Sequence, residues 1–169
     1  HRTGDVTTVY TYDASNQLNR TVAGSYRVTF TYDASGNTLT KNADGTRTTM
    51  TYGYESELKT VRTAAGTVTM TYDGDVVRRQ RQESATTTNY LWDGLQVLLE
   101  TNAGNMTTTR YTLAPSGYGD LISQRRSGVS SWHHYDALGT TRALTGSAGT
   151  VTDTRLYQAF GAQAATTGS

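Results

Sequence analysis

The chain contains no cysteine, so neither a disulfide framework nor a thiolate metal site can hold it together. Proline occurs once, at Pro115, which suits a backbone whose N–H groups are needed as ladder donors. Charge of neither sign dominates. The formal net charge is +1, so the chain as a whole has no electrostatic footprint for nucleic acid or a membrane surface. The strongest apolar run, Leu95 to Leu99, is interrupted by Gln96 and falls far short of the ~20 residues of a membrane span. No stretch shows helical periodicity. No secretory signal is visible at His1-Arg2-Thr3-Gly4, so a targeting signal is expected outside this segment. The sequence also lacks a Gly-x-Ser-x-Gly elbow, a Walker loop, a Cys–His pair and a His-Glu-x-x-His motif.

What the chain has in quantity is threonine, 34 of its 169 residues. Ala, Val, Ile, Leu, Met, Phe, Trp and Gly together make 64 of 169, below the usual range of about 45–50%. That is too polar for a self-sufficient sandwich of ordinary thickness.

The residues are ordered by a repeat. Tyr32-Asp33-Ala34-Ser35-Gly36-Asn37-Thr38-Leu39 echoes Tyr12-Asp13-Ala14-Ser15-Asn16-Gln17-Leu18, and looser copies follow at Tyr52-Gly53, Tyr72-Asp73-Gly74 and Trp92-Asp93-Gly94. The aromatic positions 12, 32, 52, 72 and 92 are each 20 residues apart, and a fixed period marks a repeat architecture. Later copies at Tyr111, Tyr135-Asp136 and Tyr157 slip out of phase. Inside a repeat the period is 2: Tyr26, Val28, Phe30 and Tyr32 fall on one side, Arg27, Thr29 and Thr31 on the other. Such alternation reads as a strand with one apolar and one polar face. One turn signal follows each anchor, as at Asp33-Ala34-Ser35-Gly36-Asn37. Another sits mid-repeat, as at Asn42-Ala43-Asp44-Gly45 or Asn102-Ala103-Gly104. Two turns per 20 residues make each repeat a β-hairpin and the chain an all-β, long antiparallel meander of about fifteen strands. Leu18, Leu39, Leu58 and Val77 are expected to fill gaps between buried Tyr anchors. The strands from Val6 to Tyr12 and from Val151 to Tyr157 are expected at the sheet edges, with Gly161 to Ser169 loose beyond them. An apolar face along so many strands has to curl or be covered.

This periodicity resembles the YD repeat, also called the RHS repeat. His134-Tyr135-Asp136-Ala137-Leu138-Gly139-Thr140-Thr141-Arg142, then Gly149-Thr150-Val151-Thr152-Asp153-Thr154 and Ala159-Phe160-Gly161, is similar to the RHS-associated core that closes such regions. Gly53, Trp92 and Gln158 depart from the pattern. The resemblance implies hairpin repeats over residues 1–113 and a core-like segment over 114–169 continuing the same sheet, curled as an arc of a hollow shell. The residues matching the repeat anchors are Tyr12, Asp13, Tyr32, Asp33, Tyr52, Tyr72, Asp73, Trp92, Asp93, Tyr135 and Asp136. It carries over no catalytic residue and no cofactor. The function it implies is structural: a shell segment of a large secreted or cell-surface bacterial protein that encloses or displays a C-terminal effector. Its partners are then further repeats of the same polypeptide or other copies of itself, joined through sheet edges. The alternative is an extracellular adhesion module that binds glycans, or a fibre module pairing edge to edge.

Other candidates have plainer readings. His133 and His134 point to opposite faces of a strand and cannot share a metal locally. Asp33 and Asp73 recur at turns, where calcium would need a denser run of oxygen ligands. Arg78, Arg79 and Arg81, like Arg125 and Arg126, divide between faces as solvated charges. The sequons at Asn19 and Asn105 matter only in a glycosylating pathway.

Overall fold

The structure, a computed structural model, describes residues 7–115, 121–158 and 161–168. The expected strand start at Val6, the loop residues 116–120 and Ala159-Phe160 lie outside these. The described residues are almost entirely β, as the alternation requires. They fall into two compact units, His1–Thr87 and Thr88–Ser169.

The first unit holds β1 (Thr8–Tyr12), β2 (Leu18–Ala23), β3 (Tyr26–Tyr32), β4 (Thr38–Ala43), β5 (Thr46–Tyr52), β6 (Leu58–Thr63), β7 (Gly66–Tyr72) and β8 (Arg78–Glu83). Each of β1 to β7 pairs antiparallel with its successor. The unit boundary falls within β9 (Thr86–Asp93). The second unit continues with β10 (Gln96–Thr101), β11 (Thr107–Leu113), β12 (Leu121–Arg126), β13 (Val129–Tyr135), β14 (Thr141–Thr145), β15 (Val151–Tyr157) and β16 (Gln163–Thr167). From β9 to β16 each strand again pairs antiparallel with its successor.

Two turn designs alternate in the first unit. The mid-repeat turns are two-residue loops. Asp44 and Gly45 both have positive φ (49° and 89°), the backbone of a primed hairpin turn whose twist matches its strands. The turns after the anchors are longer. The N–H of residue 13, 33, 53 or 73 bonds the carbonyl four residues on, and the N–H three residues on returns to the carbonyl of that same residue. Strand register slips there, as between Thr31 and Tyr32, so a bulge closes every such hairpin.

Direct partners follow the two faces in part, since the apolar face also carries Lys41 and Arg81. Phe30 lies opposite Lys41 and Met50 opposite Val61, while Thr29 pairs with Asn42 and Thr51 with Thr60. Contacts run between consecutive strands, so the core is thin. Val28 and Met70 are the buried hydrophobic residues among those described. Tyr32 and Tyr52, expected to be largely buried, are half-buried, because one layer of sheet covers each ring only from the side. Leu18, Leu39, Leu58 and Val77 are likewise half-buried.

The C-terminal expectation needs correction. Residues 163–167 form β16 on β15, with Tyr157 opposite Gln163, so β15 is not an edge. Weak anchors hide this strand: Gln163-Ala164-Ala165-Thr166-Thr167 offers no large side chain, and its ordering rests on backbone pairing with the Thr166 and Thr167 hydroxyls bonded to Thr154.

Candidate functional site

The repeat anchors form the most organised polar structure in the chain. In the first unit, Asp13 Oδ1 accepts the N–H groups of Ser15 and Gln17, both at 2.9 Å. Asp33 does the same with Ser35 and Asn37, and Asp73 with Asp75 and Val77. One carboxylate oxygen thus caps the two amides left unpaired by the bulge. The second oxygen is used laterally. Asp33 Oδ2 takes Asn37 Nδ2, which also reaches Ser56 Oγ of the next turn, and Asp73 Oδ2 takes Arg79 Nε at 2.6 Å. Hydrogen bonding from Asn37 holds the Asp33 carboxyl below its usual range. The Val77 N–H, helped by Arg79, does the same for Asp73.

Gly53 has no carboxylate to offer, yet the backbone bonds of its turn are those of the other anchors. The charge comes from Glu57, whose Oε2 accepts the Glu55 N–H at 3.1 Å. A Cβ placed on Gly53 would fall on the Glu57 carboxylate, so Glu57 fills the volume that Asp fills in the other turns. Lys59 pairs with Glu57 at 2.9 Å and lies 5.4 Å from the centre of the Tyr72 ring. The Lys59 bond is the main reason the Glu57 carboxyl sits below its usual range.

The tyrosines join one hairpin to the next. Tyr32 donates to the Leu18 carbonyl at 2.8 Å, Tyr52 to Thr38 at 3.1 Å and Tyr72 to Leu58 at 3.0 Å. Each acceptor is the first residue of the neighbouring strand, immediately after the preceding bulge. The sulfurs of Met50 and Met70 lie 3.8 Å from the hydroxyls of Tyr52 and Tyr72. Burial, with the Asp33 charge, raises the Tyr52 phenol above its ordinary value. Their hydroxyls are thus engaged and their rings half-covered.

In the second unit, Tyr135 donates to the Leu121 carbonyl at 2.7 Å, and Asp136 caps Leu138 and Thr140. Trp92 and Asp93 sit differently. Asp93 lies opposite Gln96, so Gly94 and Leu95 make a two-residue loop in place of the bulged turn. The capping role appears next at Asn102, whose Oδ1 accepts from Gly104 and Met106. Sequence reading assigns Asn102 to the mid-repeat class; its four-residue spacing to Met106 is the signal that could have corrected this. Tyr111 departs further. It donates to Glu100 Oε1 at 2.7 Å and receives Arg126 Nη2 at 3.1 Å, while Arg126 Nη1 lies 3.3 Å from Glu100 Oε2. Burial, then the Glu100 acceptor, push the Tyr111 phenol up to about 12. This side-chain triangle, assembled from β10, β11 and β12, leaves no short-range sequence signal.

His133 stacks on Tyr135 with centroids 6.3 Å apart, and His134 Nε2 lies 2.9 Å from Thr145 Oγ1. Burial, then the charges of His134 and Arg155, lower the His133 pKa. Among the described residues no three His, Asp or Glu side chains gather as a metal site. Arg79 and Arg81 are paired with Asp73 and Glu83. On the threonine face a polar recess of about 430 Å³ is lined by Ser25, Arg27, Thr29, Asn42, Asp44 and Gly45, with no aromatic wall.

No family model matches the sequence. Over 74 residues, 43% of this chain, it is 38% identical to the tRNA3(Ser)-specific nuclease WapA of Bacillus spizizenii, of which the match covers 3%. Among solved structures it is similar to TcdB2-TccC3-TEV, with a TM-score of 0.53, 18% identity and 92% of this chain covered. The Photorhabdus luminescens Tc holotoxin pore gives a TM-score of 0.51 and 16% identity over 95% of this chain. The chain spans 10% of each of those two solved chains. Both are YD-repeat shell proteins, and the resemblance read from the repeat holds in the fold.

Proposed function

We propose that this chain, which has the YD-repeat fold, is a non-enzymatic wall segment of a larger toxin-associated bacterial protein. Residues 1–113 supply hairpin repeats and 114–169 a closing core-like segment. The sheet curls as an arc of a shell that encloses or displays an effector, outside the cell or on its surface. The observation that carries this reading is the fold likeness to the TcdB2–TccC3 shells across nine-tenths of the chain. The anchors support it. Tyr32, Tyr52, Tyr72 and Tyr135 serve as inter-hairpin ties and Asp13, Asp33, Asp73 and Asp136 as turn caps, Tyr12 holds the same repeat position, and Trp92-Asp93 leads into a tight turn. A thin sheet with Tyr10, Leu91, Ile122 and Leu156 exposed also needs cover that a closed wall would give.

Limited proteolysis of the complete polypeptide containing this chain tests the reading. A segment C-terminal to the chain should resist protease while the wall is intact and become sensitive once the wall is unfolded. Equal cleavage before and after unfolding would count against enclosure.

A further inference from the structure

We infer that the recess between β11 and β12 is a binding site for a tetrahedral oxyanion, a phosphate or sulfate group, clasped by Arg110 and Arg125. The recess has a volume of about 170 Å³ and is lined by Thr107, Thr108, Arg110, Arg125 and Gly128. Arg110 lies directly opposite Arg125 in the strand register, so both side chains leave the same face of the sheet. Like charges in that relation repel each other. Nothing in their row relieves them: it runs Leu99, Arg110, Arg125, Ser130 and holds no acid. Glu100, beside Leu99, faces the other way and is held there by Tyr111 and Arg126. Among the described residues, Arg125 has only a 3.4 Å bond from Nη1 to Ser130 Oγ, and Arg110 has no hydrogen-bond or ion-pair partner.

The repeat shows that this doubled charge is not a consequence of the fold. Ser127 and Gly128 turn with φ of 49° and 86°, as Asp44 and Gly45 do with 49° and 89°. The Ser127 N–H bonds the Thr108 carbonyl, as the Asp44 N–H bonds that of Arg27. Counted from these turns, Arg110 and Arg125 stand where Thr29 and Asn42 line the polar recess of the first unit. The other hairpins of the first unit hold Val9 with Val22, Thr49 with Arg62 and Thr69 with Gln82 at this position, so none has two charges there. The first-unit recess also carries Asp44 to offset Arg27, whereas Ser127 stands in the place of that acid here. A guanidinium is a planar fork that grips an oxyanion through two N–H groups. One carboxylate satisfies one fork, while a tetrahedral oxyanion presents oxygens in more than one plane and suits two forks lining one recess. Trp132 lies diagonal to Arg125 on the same face and is 37% exposed, which puts an aromatic surface beside the anion for the sugar of an ester. The inference does not rest on the wall reading.

Thermal melts of the chain in millimolar phosphate or sulfate test the inference, with chloride adjusted to hold ionic strength constant and concentrations low enough that general salt exclusion is small. The melting temperature should rise and saturate, by about 3 °C at about tenfold excess over the dissociation constant. Arg110→Gln and Arg125→Gln should each abolish the rise, and Arg27→Gln, in the first-unit recess, should keep it. Arg110→Lys, which retains the charge without the fork, should weaken the affinity about tenfold. In chloride alone, Arg110→Thr combined with Arg125→Asn, which recreates the neutral pair of the first unit, should melt no lower than the unmodified chain. Arginines that merely held the sheet together would not give that result. Circular dichroism checks that each variant keeps its β-sheet. A sulfated oligosaccharide that binds more tightly than inorganic sulfate, with the difference lost in Trp132→Ala, would identify a sugar ester as the ligand; equal affinity would identify the free ion. No saturable rise, an equal rise in Arg110→Gln and Arg125→Gln, or a double variant that melts well below the unmodified chain in chloride would each overturn the inference.

Discussion

The Tyr52 hydroxyl donates to the Thr38 carbonyl at 3.1 Å, fourteen residues back along the chain. Tyr32, Tyr72 and Tyr135 make the same bond at the same separation. The acceptor is in every case the first carbonyl after a bulged turn, or its equivalent at Leu121, so the bond clamps one hairpin's closing end to the next strand. In a sheet with almost no buried core, such ties matter more than they would in a sandwich.

Removing one of these hydroxyls should cost about 1 kcal/mol, the net worth of a neutral hydrogen bond. Tyr72→Phe is therefore expected to lower the urea midpoint without changing the slope, and Tyr72→Ala to cost roughly 2–4 kcal/mol as its ring leaves a gap. Tyr12→Phe should stay within about 0.5 kcal/mol in this chain, because among the described residues its hydroxyl ties nothing.

The Gly53 turn predicts a compensating pair. Gly53→Asp alone should destabilise by roughly 1–3 kcal/mol, because its new carboxylate meets that of Glu57. Adding Glu57→Asn should recover most of the loss, since the introduced aspartate could then cap the turn as Asp33 does with Asn37. A double-mutant cycle by denaturant melts measures the coupling. Additive costs would mean that the two side chains do not share one space.

Acid should loosen the turns. Asp33, Asp73 and Glu57 all titrate below their ordinary values of 3.8, 3.8 and 4.5 in the folded chain. A carboxyl with a depressed folded pKa stabilises above its unfolded value, and that stabilisation fades as pH falls through the folded one. Thermal melts are expected to be flat near neutrality and to fall below about pH 4. Asp33→Asn combined with Asp73→Asn should flatten that fall.

Much of this is legible from residues alone. Alternation at Tyr26 to Tyr32 assigns the strand faces, and Asp33-Ala34-Ser35-Gly36-Asn37 marks the capped turn. The paired strands Leu121–Arg126 and Val129–Tyr135 fall around Gly128 as the residues suggest. Three features are not legible. β16 depends on backbone pairing and on the Thr166 and Thr167 hydroxyls bonded to Thr154, with no large anchoring side chain. Glu57 caps from the far side of its turn, so a search for Asp at the anchor finds only Gly53. After Asp93 a tight two-residue loop forms at Gly94-Leu95, and this shifts the cap to Asn102 by changing the turn type rather than the composition. The half-burial of the tyrosines escapes sequence reading because apolar alternation tells which face a ring takes, not what covers it.

Alkali should separate one tyrosine from the rest. Tyr111 is pushed up to about 12 by burial and by its bond to Glu100. An acid with a raised folded pKa stabilises the fold fully below its unfolded value and loses that contribution as pH rises through the folded one. Ultraviolet titration should show a late phenolate step near pH 12 that Tyr111→Phe abolishes. Glu100→Gln should move the step towards lower pH.

The most direct measurement is a cryo-EM map of the complete polypeptide that contains this chain. It should show the strands of both units as part of a curved, continuous β-wall around enclosed density, with Tyr32, Tyr52 and Tyr72 tying successive hairpins. A free, uncurled sheet with both faces in solvent, or a fibre with no enclosed volume, would contradict the account.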